Sequence, residues 1–193
     1  MEFSILISPD GEEIKTISIL EDYWHDYLYF KEQANLALKE DSQLKNRRYS
    51  RAALLVLMAY LEGVVNQWSI SILEQDGKSE SQIDAYIRKK WLHLKCDDLT
   101  KEASKKGSRV DDANIKRVKE LRNDLAHLTP GKDAELFEEI TESILTEAEE
   151  VIIPWLDAVG TLIGKERHPD TKEIGRGLAN ALGQITQEEY SGK

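Results

Sequence analysis

The stretch RAALLVLMAYLEGVVNQWSISIL, residues 51–73, is the part of the chain that decides its fold. Residues Ala52 to Leu61 are apolar without a break, so a helix built from them is apolar on every side. Such a helix needs neighbours all around it, which places it at the centre of a helical bundle. The stretch therefore predicts an all-α bundle whose central helix runs from Arg51 to about Leu73.

The residues before this helix predict an arm, a helix and a link. Apolar and polar residues alternate on both sides of Pro9-Asp10-Gly11, which indicates a short N-terminal β-hairpin over residues 1–19. Apolar residues at helical spacing predict a helix from Leu20 to about Lys39. The polar and basic residues 41–50 are expected to link this helix to the central one.

Turn and capping signals divide the chain after the central helix. Gln75-Asp76-Gly77-Lys78 is typical of a turn, and Ser79 with Gln82 has the pattern of a capping box that opens a new helix. That helix is expected to continue to Trp91. The tryptophans expected in the core are Trp68, Trp91 and Trp155.

Three regions follow from these signals. Residues 1–19 are the hairpin arm, residues 20–165 are a bundle of about five to six helices, and residues 166–193 are a tail with one short, weak helix. The last helix of the bundle begins at Asp133. Pro154 is expected to kink or interrupt it, because proline lacks the backbone donor that a helix interior needs.

A second informative stretch, DDANIKRVKELRNDLAHLTP, covers residues 111–130, which we call the motif helix. An aspartate caps its start, Thr129-Pro130-Gly131 ends it, and apolar residues recur along one side. The opposite, polar side carries Lys116, Glu120, Asn123 and His127. Asn123 and His127 lie one turn apart, and Arg122 lies at the border between the two sides. A single ligand can therefore contact Arg122, Asn123 and His127 together.

The pattern Arg122-Asn123-x-x-x-His127 resembles the HEPN family, in which an Arg-x(4–6)-His motif, usually with a polar residue after the Arg, marks ribonucleases. The match is specific at RNDLAH, and elsewhere it is architectural, covering residues 20–165 as an α-helical bundle. The resemblance implies a metal-independent endoribonuclease without a cofactor. It also implies that two protomers bring their motifs together in one cleft.

The three motif side chains carry the groups that cleave RNA without a metal. His127 can act as general base or general acid, Arg122 can bind two phosphate oxygens, and Asn123 can donate to a third. Because one histidine cannot be both acid and base in one step, a symmetric dimer would supply the second. The alternative is structural: Arg122 forms an ion pair within the bundle, and His127 is a C-terminal residue that the helix dipole favours.

Three further residues are candidates for a supporting role: Glu62 and Asn66 on the central helix, and Lys116 on the motif helix. A carboxylate as close to the core as Glu62 needs a partner, and Arg122 is the natural candidate. That pair would orient the guanidinium group. The alternative is that Glu62 only marks the point where the central helix leaves the core.

Charge and cysteine content limit the function classes. The net charge of −10 argues against indiscriminate nucleic-acid binding, but residues 88–132 contain 13 Lys and Arg against 7 Asp and Glu. This basic region indicates either a cleft that attracts a polyanion or a solvated helix face. The single cysteine, Cys96, excludes an internal disulfide and fits a reducing cytoplasm.

Three features are absent from the sequence. No Cys/His cluster has metal-ligand spacing, no signal peptide follows Met1, and no unbroken apolar run reaches the roughly 18 residues of a membrane span. We therefore expect a cytoplasmic, toxin- or defence-related endoribonuclease that acts on RNA as a homodimer, with an antitoxin or a nucleotidyltransferase as a possible partner. A non-catalytic module that binds RNA, a nucleotide or a protein is the alternative.

Overall fold

The computed structural model describes residues 19–106 and 142–165, and this part of the chain is entirely α-helical apart from its turns. The helices are α1 (Ile19–Lys39), α2 (Gln43–Gln75), α3 (Glu80–Lys89), α4 (Leu92–Ser104) and α5 (Glu142–Ile163). The prediction of an all-α bundle is confirmed for these residues. The predicted β-hairpin, the motif helix and the C-terminal tail lie outside them.

Helix α2 is the centre of the bundle, and the other helices pack around it. α1 runs antiparallel to α2, since Asn46 near the start of α2 donates a 2.9 Å hydrogen bond to the carbonyl of Ala34 near the end of α1. α5 runs in the same direction as α2, and its Gly160 lies against the ring of Trp68. α4 also runs parallel to α2 and contacts both α2 and α5. The central position predicted for this helix is confirmed.

The core consists of the sides of the helices that face each other. Trp24 packs against Tyr27 and Tyr60, with ring centroids 5.1 Å apart in both pairs. The largest fully buried side chains are Tyr27, Tyr60, Lys95, Leu54, Leu57, Leu61, Leu145, Ile152, Leu156 and Val64. All but one are aromatic or aliphatic, and each fully buried leucine contributes roughly 1.5–3 kcal/mol of transfer free energy. The exception, Lys95, marks a polar site within the core.

The link between α1 and α2 is much shorter than the sequence predicts. Asp41 adopts a left-handed conformation with φ of 55°, and α2 begins two residues later at Gln43. The prediction that residues 41–50 form a link is therefore wrong. The reason is that the polar residues Asn46 and Ser50 are buried rather than solvated, and Asn46 is hydrogen-bonded to α1.

The turn after α2 and the start of α3 agree with the sequence. Gly77 has a φ of 71°, a conformation that glycine adopts at little cost, and Ser79 and Gln82 form the predicted capping box. The helix does not reach Trp91, however, because Lys90 is extended and α4 begins at Leu92. Trp91 is 65% exposed, so its predicted core position is wrong. Trp68 and Trp155 are buried as predicted.

The helices α5 and α2 bear on two predictions from the sequence, an interruption at Pro154 and the absence of a membrane-spanning segment. α5 continues through Pro154, so an interruption at that residue does not occur. In the described part of the chain, α2 alone is long and apolar enough to cross a membrane by length and composition. The central helix of a water-soluble bundle passes the same test, and 56% of the relevant stretch of α2 is buried inside the protein.

Candidate functional site

Glu62 and Asn66 form a polar patch at the middle of α2, where the apolar stretch ends. They lie four residues apart, so their side chains leave the same side of the helix one turn from each other. Both side chains are half-buried. Helix α4 begins beside them, which brings Lys95 into the same patch.

Lys95 is the polar group on which this patch is built. Its side chain is only 1% exposed, and its ammonium group donates to Asn66 Oδ1 at 2.7 Å and to the carbonyl oxygen of Ile87 at 2.8 Å. A buried ammonium group without acceptors is strongly unfavourable, so these two hydrogen bonds are a condition for its burial. The two hydrogen bonds link α4 to α2 and to α3 at one point.

Burial and neighbouring charges have opposite effects on the pKa of Lys95. Removal from water disfavours the charged form and lowers the pKa of Lys95, while the nearby Glu62 carboxylate and Cys96 oppose that change. Glu62 is therefore the anionic neighbour that helps to keep a cation in the core. The structure gives Glu62 an electrostatic partner that the sequence did not suggest.

The hydrogen bond also determines which way the Asn66 amide faces. An ammonium group can only donate, so the amide oxygen of Asn66 faces Lys95. The two N–H donors of the amide are then directed away from Lys95. Asn66 itself is half-buried, and the Glu62 carboxylate lies one turn before it on the same side of α2.

A cleft of about 300 Å³ lies beside the patch, between the second half of α2 and helices α3 and α4. Its walls are partly apolar, and its polar groups come from Ser69, Asp76, Tyr86, Asp98, Lys101, Glu102 and Lys105. Ser69 is buried, with 3% of its surface exposed. The cleft therefore combines an apolar interior with a rim of both charges.

Asp98 organises the polar side of this cleft. It accepts a 2.8 Å hydrogen bond from the Tyr86 hydroxyl and forms an ion pair with Lys90, whose ammonium lies 4.8 Å from the centre of the Tyr86 ring. Burial, and then the acceptor Asp98, raise the pKa of Tyr86 well above its usual range. Tyr86 is therefore a hydrogen-bond donor at neutral pH and not a general base.

No family model, curated protein or solved structure matches this chain. The resemblance to the HEPN family thus depends on the residues of the motif helix and on the helical architecture. Of the predicted site residues, Glu62 and Asn66 lie on α2 and are brought together with Lys95. The others, Arg122, Asn123, His127 and Lys116, lie outside the described residues, as does any pairing of Glu62 with Arg122.

Lys95 is the residue that sequence reasoning missed. A signal for it exists, because α4 buries Leu92, Cys96 and Leu99 at helical spacing and Lys95 falls between them on the same side. A lysine in such a position is either solvated at the helix edge or held by buried acceptors, and the spacing alone does not distinguish these cases.

Within residues 19–106 and 142–165, no group of three His, Cys, Asp or Glu side chains could hold a metal ion. Cys96 is 1% exposed and packs in the core between α2 and α4. The patch consists of the buried ammonium group of Lys95 and the half-buried side chains of Glu62 and Asn66.

Proposed function

We propose that this protein is a metal-independent endoribonuclease of the HEPN type. The observation that carries this function is the sequence Arg122-Asn123-x-x-x-His127 on the polar side of a predicted amphipathic helix. An imidazole, an amide and a guanidinium group at this spacing supply a proton carrier, a neutral donor and a phosphate-binding cation.

The reaction is an internal transfer of the phosphoryl group. The 2′-oxygen of the RNA attacks the adjacent phosphorus and loses its proton to His127, while the bond from phosphorus to the 5′-oxygen breaks. The leaving 5′-oxygen takes a proton from the His127 of a second copy. Arg122 and Asn123 stabilise the additional charge on the phosphorane, where the loss of one such donor typically costs roughly 3–4 kcal/mol. The products are a 2′,3′-cyclic phosphate and a 5′-hydroxyl.

The site is composite and lies between two copies of the chain. Two copies are needed because one imidazole cannot take and give a proton in the same step. Glu62 orients Arg122 from α2, and Lys116 attracts the RNA from the polar side of the motif helix. The alternation on both sides of Pro9-Asp10-Gly11 supports a β-hairpin arm over residues 1–19 as a part of this proposal.

Support from the described residues comes from the patch on α2 and α4. The amide oxygen of the half-buried Asn66 accepts a hydrogen bond from Lys95, which fixes the orientation of the amide and directs its N–H donors away from Lys95. Donors that are already oriented need not reorganise when a phosphate oxygen binds to them. Phosphoryl-transfer sites depend on this property. We therefore assign Asn66 a supporting role in the proposed site, because its hydrogen bond with Lys95 orients its amide.

The cellular role proposed for this activity is that of a toxin or a defence nuclease in the cytoplasm. The acidic remainder of the chain, with a net charge of −16 outside residues 88–132, provides a surface for a basic neutralising partner. An antitoxin or a nucleotidyltransferase is the class of partner that fits this role. No membrane is involved.

The test is a cleavage assay on structured RNA in the presence of EDTA. We expect His127→Ala and Arg122→Ala each to lower the cleavage rate by at least about 10²-fold, in line with the loss of a general acid or base or of a phosphate-binding donor. Lys119→Ala on the same helix is the matched control and should retain activity. Retained cleavage in His127→Ala would contradict the proposed site.

A non-catalytic binding module is the second candidate, and the cleft beside α3 favours it. A volume of about 300 Å³ with apolar walls and polar groups fits part of a small ligand. In that case the protein would bind RNA or a nucleotide without cleavage, and binding would be unchanged in His127→Ala. The same assay, with a filter-binding measurement beside it, separates the two functions.

A further inference from the structure

The cleft between α2, α3 and α4 has two ends that differ in their chemistry. The residues of α2 that line it recur along one side of that helix: Ser69, Ile72, Leu73 and Asp76. From Ser69 to Asp76 the cleft follows α2 for seven residues, or about 10.5 Å along the helix axis. Ser69 is buried and Asp76 is exposed, so the cleft runs from an enclosed inner end to an open outer end.

The hydroxyl group of Ser69, at the inner end, has no hydrogen-bond partner in the described part of the chain. Ser69 is only 3% exposed. Burial, and then Asp98, raise the pKa of Tyr86, whereas Ser69 lowers it to a smaller extent, so the hydroxyl groups of Ser69 and Tyr86 face each other, although they are not in hydrogen-bond geometry. Buried hydroxyl groups in folded proteins are nearly always hydrogen-bonded, so an unpartnered one that lines a cleft points to a ligand.

The inner end offers three oxygen atoms that can accept a hydrogen bond. Tyr86 donates its only hydroxyl proton to Oδ2 of Asp98 at 2.8 Å, so towards a ligand the Tyr86 oxygen can only accept. Oδ2 of Asp98 also accepts from Lys90, whereas Oδ1 has the ammonium group of Lys101 at 3.9 Å, beyond hydrogen-bond distance. The Ser69 hydroxyl can accept as well. This end of the cleft therefore selects a group that donates hydrogen bonds.

Apolar surface separates the inner end from a second carboxylate. Ile72 and Leu73 of α2 and the buried Leu99 of α4 line the cleft between its two ends. At the outer end, Asp76 is exposed and forms no ion pair with another described residue. An elongated ligand with an apolar middle can therefore contact a carboxylate at each end.

Two lysines also line the cleft, but they lie at its exposed rim. The side chains of Lys101 and Lys105 are 75% and 70% exposed. Glu102, and to a smaller extent Asp76, raise the pKa of Lys105, so the carboxylates at this rim favour a positive charge. Exposed ion pairs are weak, and these ammonium groups can therefore move into solvent when a ligand binds. The lysines do not exclude a cationic ligand.

We propose that this cleft binds a linear diamine, with one ammonium group at the inner end and the other at Asp76. The inner ammonium group donates to Ser69, Tyr86 and Asp98, which supply one acceptor for each of its three N–H groups. The methylene chain packs against the apolar walls, and the outer ammonium group pairs with Asp76. A carboxylate or phosphate group at the inner end would face the Asp98 carboxylate and is disfavoured there.

The diamine site goes beyond the proposed nuclease function and does not depend on it, because no residue of the cleft belongs to the motif Arg122-Asn123-x-x-x-His127. The two proposals fail separately. Diamine binding is measured without RNA, and cleavage is measured without a diamine.

Ligands with one chain length and different end groups test the chemistry of the two ends. The whole chain is titrated at neutral pH with 1,6-diaminohexane, hexylamine, 1-hexanol and hexanoate, and binding is followed by isothermal calorimetry. We expect the diamine to bind at least about fivefold more tightly than hexylamine, and hexylamine more tightly than 1-hexanol, because each ammonium group adds charge-assisted hydrogen bonds. Absence of diamine binding, or hexanoate that binds as tightly as the diamine, would overturn the inference.

Ser69→Ala separates contact with a ligand from a structural role. Because this hydroxyl group has no partner within the described protein, its removal should leave the midpoint of urea unfolding unchanged or raise it. The dissociation constant of 1,6-diaminohexane should nevertheless rise by at least about fivefold. Ser50→Ala is the matched control, since Ser50 is also on α2, fully buried and without a partner among the described residues, but does not line the cleft. Its diamine affinity should equal that of the wild type.

Asp76→Asn tests the outer end of the cleft. We expect it to lower the affinity for 1,6-diaminohexane to about that for hexylamine and to leave the affinity for hexylamine itself unchanged, because hexylamine has no second ammonium group. Asp84→Asn removes an exposed carboxylate of α3 that does not line the cleft, and it should change neither affinity. A diamine that binds Ser69→Ala and Asp76→Asn as tightly as the wild type would place its site elsewhere and would overturn the inference.

Discussion

The ammonium group of Lys95 donates a 2.7 Å hydrogen bond to Oδ1 of Asn66, and this contact joins α4 to α2 inside the bundle. The lysine is buried and the asparagine is half-buried, so the bond connects the core to the accessible polar patch. It keeps a cation in the core and, at the same time, orients an amide at the surface.

Replacing Lys95 by methionine tests this contact. Methionine fills a similar volume but cannot donate, so the acceptors Asn66 Oδ1 and the Ile87 carbonyl lose a partner, at a cost of about 1–3 kcal/mol. Urea unfolding of Lys95→Met, Asn66→Ala and the double variant should give a coupling free energy of about 1 kcal/mol. Lys101→Met on the same helix, where the side chain is 75% exposed, is the control and should change stability by less than about 0.5 kcal/mol. Additive effects of the two single changes would contradict the contact.

Alkaline pH should destabilise the protein through Tyr27. Burial, and then the carboxylate of Glu149, raise the pKa of Tyr27 far above its ordinary value of 10.0. Above pH 10 the unfolded chain therefore loses this proton while the folded protein retains it, so the free energy of unfolding falls as the pH rises. The slope reaches about 1.4 kcal/mol per pH unit for each such group.

The measurement is the free energy of unfolding as a function of pH above 10.5. In this range the opposite contribution of Lys95 has ended, because a lysine whose folded pKa is lowered adds stability with rising pH only up to its ordinary value of 10.5. Tyr27→Phe should show a shallower decline than the wild type, and the exposed Tyr29→Phe should keep the wild-type decline. Equal slopes in all three proteins would show that Tyr27 ionises as readily in the folded state as in the unfolded one.

Gly160 should tolerate no side chain. A Cβ atom at this position would lie 2.5 Å from the carbonyl oxygen of Lys165 and 2.9 Å from Cη2 of Trp68, which is buried. Alanine has the better helix propensity by about 1 kcal/mol, but overpacking against backbone and a fixed indole costs about 1–3 kcal/mol and should prevail. We expect Gly160→Ala to lower the midpoint of thermal unfolding.

Gly63→Ala is the matched control for that change. Its Cβ would meet only the end of the Leu20 side chain, which can rotate away. Its thermal midpoint should therefore fall less than that of Gly160→Ala. The reverse order would mean that the contact between α5 and Trp68 adjusts more easily than the geometry implies.

Periodicity predicts the helices of this protein better than it predicts their ends and their exposed sides. The central helix and the capping box of Ser79 follow from the sequence, since each depends on local pattern. The start of α2 does not follow from local pattern, because the buried side chain of Asn46 donates its hydrogen bond to the Ala34 carbonyl of α1, 12 residues earlier in the sequence. The exposure of Leu55 does not follow from the sequence either. A uniformly apolar segment contains no information on which of its sides lacks a neighbour.

In the candidate site, too, some residues can be predicted from local spacing, whereas another depends on contacts distant in sequence. Glu62 and Asn66 are recognisable as the first polar residues after the apolar stretch, and their shared side follows from a spacing of four. The spacing of α4 places Lys95 on an apolar side, but its burial is recognisable only in the fold, since its two acceptors come from α2 and α3. Tertiary hydrogen bonds of this kind decide whether a lysine on an apolar side is solvated or buried.

The chemistry of the RNA ends tests the central claim most directly. Purified protein is incubated with RNA in EDTA, and the termini of the products are identified by mass spectrometry. We predict a 2′,3′-cyclic phosphate and a 5′-hydroxyl from the wild type, and no products from His127→Ala. Products with a 3′-hydroxyl and a 5′-phosphate, or intact RNA with the wild type, would contradict the account.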